Sequence, residues 1–96
     1  MPRPSSVKTT VVTGDTTLKS VPGKIWWISV SNSHATDNAA IELSDDTTDR
    51  WATVLPGLDT PATSHVHVSF DPPIGCDTSI LVDITGGTVV ATVAYT

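Results

Sequence analysis

Near the C-terminal end of the chain, residues 79–85 and 88–96 flank the pair Gly86-Gly87. Two adjacent glycines fill both positive-φ positions of a two-residue hairpin turn without steric cost. The arms alternate with a period of two, as strands do. Ile80, Val82 and Ile84 fall on one face, and Leu81, Asp83 and Thr85 on the other. Val89, Ala91, Val93 and Tyr95 continue the apolar face, while Val90, Thr92 and Ala94 form a small, weakly polar face expected to be partly covered. A hairpin with one apolar face is marginal in water and must bury that face against another layer.

The rest of the chain supplies that layer in the same currency. Thr, Val and Ser contribute 16, 12 and 10 of the 96 residues, against one Glu, no Gln, three Lys and five Leu. Strand formers are enriched and helix formers depleted, which excludes a helical protein. Short β-rich runs at residues 7–13, 18–21, 24–31, 39–43, 50–55 and 65–70 alternate with turn clusters such as Gly14-Asp15, Pro22-Gly23, Pro56-Gly57 and Asp71-Pro72-Pro73. That spacing predicts an all-β, single antiparallel β-sandwich of seven or eight strands with jelly-roll-like topology. Residues 1–6 combine two prolines with polar residues and read as an extended, flexible N-terminal arm, and residues 7–96 as one domain. The run at 65–70 is expected to stop at Pro72-Pro73, because proline cannot donate to a ladder. The shared alternation places Ile28, Val66, Val68, Phe70, Val82, Ile84, Val89 and Val93 in the core. Trp26 and Trp27 are adjacent in a strand and must point to opposite sides, so one is expected in the core and the other under a loop, at an edge or against another subunit.

Candidate chemistry is sparse. His65 and His67 lie at i, i+2 and project from one strand face as a possible chelate, but His34 is the only other histidine, so solvated or interface histidines are the better reading. Asp45, Asp46 and Asp49 give an acidic turn without the ligand spacing, central glycine or distal Glu of a calcium hand, and read as a polar hairpin tip. No Gly-x-Ser-x-Gly elbow is present, Cys76 has no neighbouring cation to form a thiolate, and Glu42 is the only Glu. The expectation is a protein without enzymatic activity, metal or cofactor. A single cysteine makes no internal disulfide. The net charge of −5 and the scattered cations argue against nucleic acid and anionic membrane as partners. The opening Met1–Ser6 has no apolar signal core, and a cytosolic origin is expected.

The segment Phe70-Asp71-Pro72-Pro73-Ile74, followed by Ser79-Ile80-Leu81-Val82-Asp83-Ile84-Thr85-Gly86-Gly87-Thr88 and the returning Val89-Val90-Ala91-Thr92-Val93-Ala94-Tyr95, resembles small all-β virion proteins of tailed bacteriophages, including capsid decoration (cement) proteins. Ile28-Ser29-Val30-Ser31-Asn32 and Ala39-Ala40-Ile41-Glu42-Leu43-Ser44-Asp45 fit the same layout, so the resemblance covers about residues 20–96. It implies a structural role on the surface of the phage head, as a symmetric oligomer expected to be a homotrimer, with the major capsid protein as partner. Tail, collar and fibre modules use similar sandwiches, and there Trp51 beside Arg50 would be the residue to stack on host glycans. The interface residues expected on these grounds are Pro2, Arg3, Pro4, Val7, Trp26, Trp27 and Trp51. The arm and residues 7–13 are expected to bridge capsid subunits by adding a strand to a neighbour's sheet edge.

Overall fold

The computed structural model describes residues 7–57 and 64–96, so Pro2, Arg3 and Pro4 of the expected arm lie outside the described residues. Among the described residues eight strands follow in chain order: β1 (Lys8–Val12), β2 (Thr16–Lys19), β3 (Gly23–Asn32), β4 (Ala39–Asp45), β5 (Thr48–Leu55), β6 (His65–Cys76), β7 (Ile80–Thr85) and β8 (Val89–Tyr95). They form two four-stranded antiparallel sheets, ordered β1-β8-β3-β6 and β2-β7-β4-β5. First pairs with last, second with seventh, third with sixth and fourth with fifth. This is the nested order of a jelly roll, a long antiparallel ribbon wound into two facing sheets. The Gly86-Gly87 turn forms as the sequence requires, with φ of 78° and 68°.

The interior strands β3, β8, β4 and β7 carry the core. Ile25, Ile28, Val30, Ile41, Leu43, Ile80, Val82, Ala91 and Val93 are buried between the sheets. Each large one contributes roughly 1.5–3 kcal/mol by leaving water. Of the residues expected there, Ile28, Val82, Val89 and Val93 are buried, whereas Val66, Val68, Phe70 and Ile84 are only partly so. Val66, Val68 and Phe70 belong to β6, which among the described residues has a neighbour on one side only and therefore stays open to solvent along that edge.

Two expectations need correction. The first concerns the tryptophans, neither of which enters the core. Ile25 pairs with Tyr95 and Ile74, and the next registered residue is Trp27, opposite Ala94 and Ser69, so Trp26 sits in a β-bulge. The extra residue resets the alternation, and the core positions on either side are Ile25 and Ile28, three apart instead of two. The second concerns Pro72-Pro73, which lie inside β6 and do not end it. The ladder opposes Trp27 to Ser69 and Ile25 to Ile74, so residues 70–73 bulge away from β3. An edge strand with a bulge is where a sheet tolerates prolines. Residues 7–13, expected to add a strand to a neighbour's sheet edge, supply β1. Lys8–Val12 is already an edge strand of its own sheet, hydrogen-bonded to β8.

Two side chains tie the ends of the sandwich. Asp45 is 6% exposed and accepts from the backbone N–H groups of Asp77, Thr78 and Ser79 at 2.8, 2.9 and 3.1 Å. Arg50 Nη2 adds a contact at 3.2 Å. These donors, Asp77 N–H first, hold the Asp45 carboxyl well below the usual carboxylate range. At the opposite end Asn32, 2% exposed, accepts from His34 N and Thr88 N at 3.1 and 3.0 Å. Its Nδ2 donates toward the carbonyls of Asp37, Pro56 and Leu55 at 3.0, 3.1 and 3.4 Å.

Candidate protein-docking face

Register decides which side chains share the outer surface of the β1-β8-β3-β6 sheet. One row runs Thr9, Ala94, Trp27, Ser69, and the next Val11, Thr92, Ser29, His67. The third row is Val90, Ser31, His65. No Asp, Glu, Lys or Arg stands in these three rows. Ala94 is fully covered although it faces outward, as the weakly polar face of β8 led one to expect. Val11 and Val90 are 64% and 46% exposed. The Trp27 ring lies 5.4 Å from that of His67, tilted by 40°. His65 Nε2 is 3.3 Å from Ser29 Oγ, and His67 Nε2 is 3.5 Å from Ser69 Oγ.

The other outer surface is its electrostatic opposite. On β2-β7-β4-β5, Glu42 is paired with Asp83, and Ser44 with Asp49. The Ile84 N–H, at 2.8 Å, and a hydrogen bond with Asp83 hold Asp15 below the usual carboxylate range. Asp83 is pushed up in turn by the hydrogen bond and charge of Asp15, and Glu42 likewise by Asp49. A shallow groove of about 530 Å³ lined by Asp15, Asp46, Asp49 and Asp83 lies here. No group of three or more His, Cys, Asp or Glu among the described residues is arranged to hold a metal ion. The lysines lie elsewhere. Lys19 and Lys24 line a cleft with Trp26 and Thr96, and Lys8 shares a second one with Lys19, Tyr95 and Thr96.

The sequence-derived candidates therefore separate. Trp27 stands on the uncharged face, while Trp26 lies at the lysine-bearing end and donates its indole N–H to Thr96 Oγ1 at 3.3 Å. Val7 precedes β1 and is half-buried. Trp51 turns inward and meets Phe70 edge-on at 5.9 Å, closing the gap between β5 and β6. That contact leaves the ring half-buried, where a glycan-stacking platform would stand open to solvent. Cys76 is buried, and burial pushes its thiol up, away from the thiolate. Val90 and Thr92 belong to the weakly polar face that the sequence marks for partial cover, whereas Val11 and Ser29 carry no such mark. The signal was present in the alternation of β6 and β8, but only the sheet order sets those two strands on either side of β3.

No helix among the described residues is long and apolar enough to cross a membrane. No protein-family model, curated protein or solved structure matches this chain.

Proposed function

We propose that this chain is a non-enzymatic structural protein of a phage virion. In this reading it binds the outside of the head and bridges neighbouring major-capsid subunits, as a decoration protein that is itself an oligomer. The observation that carries the reading is the broad uncharged face on β1-β8-β3-β6, with Trp27 and the exposed Val11 and Val90 upon it. Depletion of charge with retained aromatic area is the composition of a protein-binding surface. Jelly rolls recur in viral capsid proteins, though a fold alone assigns no function; the phage origin is drawn from the resemblance over about residues 20–96. The alternative glycan-binding reading loses support because Trp51 packs on Phe70.

The test is to add the purified protein to assembled phage heads that lack it, then measure co-sedimentation and heat resistance. Saturable binding with a rise in the temperature of head rupture is expected. No retention on heads, or retention on host cell surfaces instead, refutes the assignment. Removing residues 2–6 leaves all eight strands in place, so a drop in occupancy for that variant isolates the arm.

A further inference from the structure

The two outer sheet surfaces differ in what their polar groups can do. Ser and Thr hydroxyls and neutral imidazoles each both donate and accept hydrogen bonds, whereas carboxylates only accept. In the three rows on β1-β8-β3-β6 the outward polar groups, apart from the donor-only Trp27 indole, are Thr9, Ser29, Ser31, His65, His67, Ser69 and Thr92. All are of the two-way kind. An identical surface turned onto this one can satisfy every group without burying a charge. The other outer surface cannot, because Asp15, Glu42, Asp49 and Asp83 already crowd one another and the chain carries a net −5.

We propose that a second copy of this chain docks on the outer face of β1-β8-β3-β6, with Trp27, Val11 and Val90 as the apolar anchors. This rests on the reading above that the protein works as an oligomer. Four strands about 4.8 Å apart and three rows of outward side chains about 6.7 Å apart outline about 400 Å². Two such faces bury about 800 Å², at the low end for a specific contact. A contact of that size is weak and transient, and several copies held together on one particle would act far more tightly. No charged group faces His65 and His67 from the rows of β3 or β8; the charged residues of the adjoining strands are Asp71, further along β6, and Lys24, beyond the bulge on β3.

The experiment is sedimentation of the full chain at neutral pH from about 1 µM to about 1 mM. Association that rises with concentration and barely changes with added salt is expected, since no charge pair is involved. Val90→Glu and Val11→Glu alter exposed positions and should weaken it tenfold or more, with unchanged circular dichroism. A His65→Gln/His67→Gln double variant, which keeps a side-chain donor and acceptor at both positions, should still associate. A monomer at every concentration, association unaffected by both valine variants, or association abolished by salt overturns the proposal. A chain that self-associates yet does not bind heads refutes the decoration role and leaves this contact standing. A monomer that binds heads and loses them on Val90→Glu assigns the face to the capsid and overturns it.

Discussion

Replacing Asn32 by aspartate exchanges one NH₂ group for oxygen at a site where only 2% of the residue meets solvent. The retained Oδ1 still accepts from His34 N and Thr88 N. The new oxygen faces the carbonyls of Asp37, Pro56 and Leu55, which the amide had served at 3.0, 3.1 and 3.4 Å. Two N–H groups shared among three carbonyls amount to about two net hydrogen bonds, or about 2 kcal/mol. Stranding those carbonyls against a like-charged oxygen adds about 1–3 kcal/mol. The expected loss is about 3–5 kcal/mol, a large part of the 5–15 kcal/mol typical of a domain. In a thermal melt that is about 15–25 °C for a chain of this size. Protonation would return one donor, so the aspartate is raised in the folded state. Its deficit should thus be smallest below the ordinary carboxylate range and grow as pH rises through it. Asn32→Ala, which loses all five contacts, should be destabilised to a similar degree without that added pH dependence. A melting temperature within about 3 °C of wild type for Asn32→Asp at pH 7, less than 1 kcal/mol on the same scale, would refute the idea that this amide locks the loop end.

Other outcomes follow from the same structure. Asp83 and Glu42 are raised by their carboxylate neighbours, so they withdraw stability as pH rises above the ordinary carboxylate range of about 4. Asp45 is depressed, so its contribution is complete above about pH 4 and is lost on further acidification. Thermal melts should show a maximum near about pH 5, Asp83→Asn should raise stability at pH 7, and Asp45→Asn should flatten the acid limb. A methyl group at Gly87 would lie 2.7 Å from Asn32 Oδ1 and 2.8 Å from Ala39 Cβ, at a φ of 68°. Gly87→Ala should therefore cost about 2–3 kcal/mol by denaturant titration, more than the 1–2 kcal/mol of the backbone conformation alone. Trp51→Ala removes a half-buried ring from Phe70 and should cost about 2–3 kcal/mol, below the range for a fully buried aromatic, with β6 the strand whose amide exchange accelerates most.

The amino-acid sequence by itself determined the strand periodicity, the Gly86-Gly87 hairpin and the two-layer architecture. Each of these rests on neighbours in the chain: alternation is a property of residues i and i+2, and a positive-φ turn is a property of two adjacent glycines. The same locality made the inward faces of β7 and β8 legible, together with the outward row of His65, His67 and Ser69. What only tertiary structure decided depends on residues far apart. Trp26 and Trp27 look alternate until β6 and β8 impose a bulge between Ile25 and Trp27. Pro72-Pro73 look like a stop until β6 proves to be an edge. Asp45 looks like a turn residue until the loop at 77–79 brings its N–H groups within 3.1 Å, across 32 to 34 positions. The candidate face is likewise assembled from four strands that sequence order scatters from Thr9 to Ala94. A ladder joins strands through backbone groups that every residue carries alike, so pairing partners are chosen by how the two apolar surfaces close on each other, and no local pattern encodes that choice.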